Sequence, residues 1–261
     1  MGKPLKKPPV YFTVVQARFN ALLKLGDYVP PIQEAMRKSG FPDFRNHKSV
    51  EVQITANDGQ LTPSTVSTEQ FLFGNTAKTH DFVLTRNALT LQSTRYGTFE
   101  DFSTVFLKGL ALVHGQVQLD FTERVGLRYL DHIAPQRNDS LDRYLVPGAF
   151  GIGSHLDGKS VYSFSETLRR MGDVQLRARV LIQEGELAFP PELAPQGMMV
   201  DERFLKYSGH HAVLDTDGFV EDRMPFAVDD VGERLRDIHG AVSAAFKAIV
   251  TKHALKVWDE S

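Results

Sequence analysis

The sequence predicts an α+β fold, a curved antiparallel β-sheet with two long amphipathic helices on one face. Three observations carry this expectation. Strand-like runs follow one another, and each long helical run comes after several of them, an order that favours an antiparallel sheet over a doubly wound parallel one. Two segments, 98–116 and 229–249, place apolar residues at helical spacing. The order strand, short helix, strands, long helix occurs once in 10–116 and again in 117–261, so the chain reads as a pseudo-duplicated unit whose halves pack as a single domain. With 261 residues, folding can bury roughly three quarters of the unfolded chain's surface. The 18 Phe against one Trp point to a Phe-rich core.

Residues 1–9 read as a flexible basic arm, with Lys3, Lys6 and Lys7 before Pro8-Pro9. Val10 to Phe19 is rich in β-branched and aromatic residues and reads as a strand. Pro30-Pro31 is placed to open a short helix that Gly40 ends, because proline suits a first helical turn and glycine a stop. Residues 50–55 alternate, with Val50, Val52 and Ile54 on one side, and predict a strand. The polar stretch 57–68 predicts a loop or an irregular hairpin. Further strands are expected at 70–73 and 82–93, the second turning at Arg86-Asn87. Thr98 then caps a helix, with Asp101 three residues on, and Phe99, Phe102, Phe106, Leu110 and Val113 form its stripe before a stop at Gly115.

In the second half, 119–133 predicts a long strand bent at Gly126, and 140–146 a short helix. Residues 174–183 alternate again, with Leu176, Ala178 and Val180 on one side, and 209–216 is another strand. Asp229 or Asp230 caps the last helix, whose stripe is Val231, Leu235, Ile238, Val242, Ala245 and Ile249. The stretches 135–158 and 184–202 are the most irregular, and long loops in compact domains are often where function lies. Joined edge to edge, such halves follow a plan similar to the saddle of TATA-binding-protein-like domains or to helix-grip domains.

Composition excludes several classes of function. Thirty Lys and Arg against 32 Asp and Glu leave a net charge of -2, without the basic excess of a protein that coats nucleic acid. The absence of cysteine excludes disulfides, zinc–thiolate sites, iron–sulfur clusters and thiol nucleophiles, and a reducing cytoplasm is the expected location. No run approaches the ~20 apolar residues of a membrane span. The start lacks an apolar signal core, and Lys6 stands where a myristoylation motif has Ser or Thr.

Candidate chemistry is sparse. Gly148 to Gly153 lacks the third glycine of a dinucleotide fingerprint and the strand before it, and reads as a flexible turn. There is no Walker lysine loop and no Gly-x-Ser-x-Gly elbow. Ser160, Ser163 and Ser165 near Glu166 and Arg169-Arg170 read as a polar patch able to bind an anion, or as a solvated helix start. His210-His211 with Asp215 and Asp217 is the densest group of metal-ligand residues. On a strand His211, Asp215 and Asp217 share one side and His210 the other. Spread over about 20 Å, they serve a single ion only if the chain turns after Leu214, and Asp217-Gly218 supplies a turn signal. The plainer reading is polar residues at a strand end. His132 beside Asp131, and His155 with Asp157, are acid–base candidates, with surface or loop histidines the plainer reading. Arg177 and Arg179 alternate on one strand face, and with Arg124 and Arg128 they are candidate anion holders, or simply the wet side of a sheet. No catalytic residue, metal or cofactor is assigned.

Several segments resemble a sporadically distributed family of bacterial proteins of unknown function. They are Pro8-Pro9-Val10 running into 14–19, the segment 89–102, Arg124 to Leu130 leading to Ile133, Leu214 to Asp217, and the terminal helix from near Asp230. The resemblance spans most of the chain. It implies a cytoplasmic bacterial protein of patchy distribution, which suits mobile elements or antiviral defence islands, and it brings no catalytic residues. Tyr11-Phe12-Thr13 stands where an acidic residue is more typical, so that tip differs.

The expected function is a non-enzymatic binding or assembly protein that engages a protein partner, or a second copy of itself, through a sheet face or edge. One alternative is a metal- or nucleotide-dependent enzyme or ligand-binding domain around the His/Asp cluster. The other is nucleic-acid binding through Arg18, Arg124, Arg128, Arg177 and Arg179 with the Lys3, Lys6 and Lys7 arm, which the balanced charge places last.

Overall fold

A computed structural model describes residues 5–57, 60–136, 138–158 and 161–260, the side chains of 49–68 and of Pro191 excepted. In chain order these form β1 (Val10–Phe19), α1 (Leu25–Lys38), β2 (Asp43–Asn57), β3 (Gln60–Gly74), β4 (His80–Thr85), β5 (Ala88–Ser93) and α2 (Phe99–Val117). Then come β6 (Phe121–Ile133), β7 (Tyr162–Met171), β8 (Val174–Glu186), α3 (Glu202–Leu205), β9 (Ser208–Pro225), α4 (Val228–Ile249) and α5 (Lys252–Glu260). Among the described residues nine strands make one antiparallel sheet in the order β2-β3-β4-β5-β1-β6-β9-β8-β7. Each half contributes its first strand to the centre, β1 against β6. Its later strands then run outward in reverse order, β5-β4-β3-β2 on one side and β9-β8-β7 on the other. The halves therefore join edge to edge, and the sheet is α+β and open.

Both long helices lie on one face. Alternate residues of the central strands (Val15, Ala17 and Phe19; Val125, Leu127 and Tyr129) pack with the buried stripes of α1, α2 and α4. That core is rich in phenylalanine, with Phe19, Phe71, Phe73, Phe82, Phe99, Phe102 and Phe106 all buried in it. Thr98 caps α2 as the sequence predicts, its Oγ1 accepting from the Asp101 N–H at 3.1 Å. Gly115 does not end that helix. The end is set by His114, whose Nδ1 accepts from the Leu119 N–H at 3.0 Å, and by Gln118 in the left-handed region at φ 52°. In α4, Asp229 and Asp230 fall in the first turn behind the N-cap Ala227, where their charge suits the helix dipole without a capping bond.

Other expectations are corrected by packing. Helix α1 begins at Leu25, so Pro30 and Pro31 lie inside it. The carbonyls that lose an N–H partner there belong to Gly26 and Asp27, both exposed and so open to solvent. The stretch 57–68, expected as a loop or an irregular hairpin, belongs where described to a regular one: β2 and β3 pair from Asp43↔Gly74 to Asn57↔Gln60. Strand β3 meets β4 only over Phe71–Gly74, so most of that hairpin extends beyond the sheet as a two-stranded ribbon. The expected inward side of Val50, Val52 and Ile54 lies outside the described side chains.

Strand β6 keeps its register through Gly126, and its irregularity falls between Thr122 and Arg124 instead. Gly126 leaves room for the Arg124 guanidinium, from which a Cβ would stand 2.8 Å. Asp217-Gly218 is no turn, since β9 runs through it to Pro225. Gly218 lets α4 approach, because a Cβ there would stand 2.8 Å from a methyl of Ile238 and of Val242. Residues 162–171, read partly as a helix start, form strand β7. Tyr162 and Phe164 alternate with Ser163 and Ser165, a period of two that the serines obscure. The helix expected at 140–146 shrinks to a 3-10 turn, Leu141–Arg143.

The arm is tied down where described. The Lys7 N–H donates to Trp258 O at 3.0 Å, Arg203 Nη2 to Pro8 O at 2.8 Å, and the His132 N–H to Pro9 O at 2.9 Å. Lys3 lies outside the described residues. On the second face of the sheet, the segment 187–204 covers Tyr11, Phe12, Leu130 and Val213 with Leu187, Phe189, Leu193, Met198, Val200 and Phe204. Among the described residues no helix is long and apolar enough to cross a membrane.

Candidate functional site

The sequence-predicted arginines and aspartates meet on the second face, where β6, β9, β8 and β7 lie side by side. Strand alternation projects Arg124 and Arg128, Asp215 and Asp217, Arg177 and Arg179, and Glu166 from successive strands. Register does the rest, setting Arg177 opposite Asp217 and Arg179 opposite both Asp215 and Glu166. Asp215, with only 7% of its side chain exposed, is the hub. Arg128 grips it through Nε and Nη2, each at 2.7 Å, in the fork geometry that a carboxylate matches. Arg179 adds Nη1 at 3.0 Å and donates from Nε to Glu166 at 2.6 Å. Glu192 reaches in from the segment above the face and accepts from Arg128 at 3.0 Å.

The lattice continues along β6. Arg124 stands 3.9 Å from Asp217 and 3.5 Å from Glu221, with its guanidinium 4.5 Å over the Phe219 ring. Arg177 is the least satisfied arginine: Glu166 is 3.9 Å away, and its buried Nε has no hydrogen-bond partner. Burial works against the Arg128 charge, and its bonds to Asp215 outweigh that and hold the guanidinium ionised. Burial pushes the Asp217 carboxyl above its ordinary value, against the pull of Arg124. All four predicted anion holders thus already face a carboxylate, so a phosphate would have to displace one.

Only two of the four candidate histidines meet. His132 and His211 sit on adjacent strands of this face, ring centres 4.8 Å apart and edge to face, with Tyr207 and Phe204 packed around them. His211 Nδ1 lies 2.9 Å from Gly209 O, while the buried His132 Nε2 has no partner. His210 points to the opposite face and is exposed, as are His155 and Asp157. The hub of the proposed ligand group, Asp215, is occupied by two arginines. Among the described residues no group of three or more His, Asp and Glu side chains is gathered to hold a metal ion.

The buried His132 has a consequence for acid stability. Burial pushes its imidazole down to about 4 from an ordinary 6.5, with His211 nearby as a smaller cause. Between those values the unfolded chain binds the proton and the folded chain does not. Stability is therefore present above pH 6.5 and falls as the pH drops towards 4, at up to about 1.4 kcal/mol per pH unit. His132→Phe keeps the ring and removes both the proton and the orphaned nitrogen. Urea titrations at pH 7 and pH 5 are expected to show a smaller acid loss in the variant, and equal slopes would refute this account.

Sequence reasoning missed the outermost strand. No strand lies beyond β7 among the described residues, and β7 pairs with β8 without a break from Tyr162 to Met171. Tyr162, Phe164 and Leu168 stand on the lattice side of β7 and are 63%, 52% and 51% exposed. Beside them Phe189, Pro190, Leu181 and Val213 line a groove of about 380 Å³ whose polar end is Arg128, Asp215 and Glu192. No family model matches the chain, and no curated protein matches it. The functional reading rests on this surface itself.

Proposed function

We propose that the chain is a non-enzymatic binding or assembly protein that takes an extended segment of a partner protein along β7. The observation that carries this reading is a ten-residue edge strand in unbroken register, with three exposed apolar side chains on one side. Edge strands of monomers are ordinarily blunted by proline, bulges or inward charges. Strand β7 has no proline and no bulge; of its charges, Arg169 and Arg170 fall at one end and Glu166 is ion-paired to Arg179 of β8. An added strand gains main-chain hydrogen bonds from the edge, and the groove beside Phe189 receives apolar side chains. The ion-paired lattice forms a fixed polar floor for that contact. A cysteine-free protein of this kind suits a reducing cytoplasm.

Phe164→Glu combined with Leu168→Glu tests the proposal. Both side chains are exposed, so folding stability should change by no more than about 0.5 kcal/mol per site. Affinity isolation from the native host and sedimentation over a concentration series should show the wild type with a partner, or as a dimer through β7, and the double variant alone. A wild type that stays a lone monomer, or a double variant that keeps its partner, overturns the reading.

A further inference from the structure

On the helix side of the sheet lies a second, separate cavity, of about 140 Å³. Its floor is Tyr129, Asp131 and Thr216, its wall is His239, Val242, Ser243 and Phe246 of α4, and Leu5, Pro8 and Pro9 of the arm close it with Val10 and Tyr96. Asp131 is only 5% exposed, yet its carboxyl makes no hydrogen bond or ion pair with any described residue. Thr216 Oγ1, beside it, is likewise buried without a partner. A buried polar group with nothing to bond is uncommon, because it loses hydration without replacement.

The tyrosine hydroxyls and His239 Nδ1 there are already engaged. Tyr96 and Tyr129 share a hydrogen bond of 3.1 Å between their hydroxyls, and Tyr129 OH lies 3.3 Å from His239 Nδ1. What remains for a ligand is the Asp131 carboxyl, the hydroxyls of Thr216 and Ser243 and the faces of aromatic rings. We infer that this cavity binds a small organic ammonium ion, with Asp131 as its counter-ion and Tyr96, Tyr129 and Phe246 around its apolar substituents. Aromatic faces attract a cation through their quadrupoles, and a carboxylate without another partner supplies the charge. An anion would hold the Asp131 carboxyl protonated and find no positive charge among the lining side chains. A neutral apolar ligand would leave the carboxyl as unpaired as before. The volume is too small for a nucleotide, whose pockets run to roughly 300 Å³ and above.

The empty and filled cavities differ by a proton. Burial, with Asp215 behind the sheet as a smaller cause, pushes the Asp131 carboxyl up to about 8. The titratable groups facing it are Tyr96 and Tyr129, both pushed up by burial, and His239, pushed down by burial, so none supplies a competing positive charge near neutrality. At pH 7 an incoming ammonium ion takes the place of the carboxyl proton, which passes to the buffer as the ion pair forms.

Choline is a suitable probe, beside its uncharged analogue in which a tert-butyl group replaces trimethylammonium. Calorimetry at pH 7 in two buffers of different ionisation enthalpy should show choline binding with release of about one proton per site. The uncharged analogue should bind at least about ten-fold more weakly. Asp131→Asn, the same shape without the charge, should lose choline by a similar factor. It should also be the more stable protein above pH 8, since a carboxyl held near 8 in the folded chain and near 3.8 in the unfolded one lowers stability as pH rises between them. No heat with choline, tetramethylammonium or butylammonium overturns the inference, as does equal binding of the uncharged analogue. Proton release by the wild type reads the site even if the variant folds poorly. None of these outcomes bears on docking at β7.

Discussion

Asp215→Ala is expected to destabilise the protein by about 3–5 kcal/mol, because it removes the one carboxylate that two largely buried arginines share. Arg128 has 13% of its side chain exposed and Arg179 20%, so neither regains full hydration when Asp215 is gone. Glu192 and Glu166 remain as partners, and both are more exposed, so they hold less of the charge. The loss comes from stranding charges and not from the worth of the pairs. Asp215→Leu combined with Arg128→Met should therefore be milder than Asp215→Leu alone, since the double change withdraws a charge with its counter-charge. Urea unfolding of the single and double variants measures both. A loss below 1 kcal/mol for Asp215→Ala would show that water reaches the arginines freely.

Two glycines of α2 should respond to alanine in opposite directions. A Cβ on Gly109 would collide with the ring of Phe82, itself buried and held edge-on by Phe41 at 4.7 Å between centres. Neither the helix nor the ring has room to move in a close-packed core, so overpacking of about 1–3 kcal/mol should exceed the gain of up to ~1 kcal/mol from replacing glycine in a helix. Gly115, two turns on, has nothing within 4 Å of its would-be Cβ and is exposed. Gly115→Ala should raise the melting temperature and Gly109→Ala should lower it. Thermal melts of the pair decide the matter, and a shift of the same sign in both would mean that Phe82 yields.

The parts of the fold that were legible are those with local periodicity. Helices α2 and α4 declared themselves by apolar stripes, and the β4–β5 hairpin by Arg86-Asn87 between two apolar runs. What misled was residue chemistry with two uses. Gly218 follows an aspartate as a turn glycine does, but it serves the approach of Ile238 and Val242. Gly115 looks like a stop, but the ring nitrogen of His114 ends the helix. Pro30 and Pro31 look like a beginning, but a turn of helix precedes them where water can serve the freed carbonyls.

The charged face was half legible. Alternation correctly put Arg177 with Arg179, and Asp215 with Asp217, on single sides of their strands. That those sides are one side, with Arg179 opposite Asp215, depends on β8 lying next to β9, a neighbourhood that no local pattern encodes. The aromatic cavity was hidden for the same reason, since Asp131, the arm and α4 come from distant parts of the chain.

The central seam is where the two halves of the sheet can part. Among the described residues, β1 against β6 is the only strand pairing that crosses from the first half to the second. A chain severed between Val117 and Phe121 would yield two pieces, each with its other strand ladders intact and one open margin complementary to its sibling's.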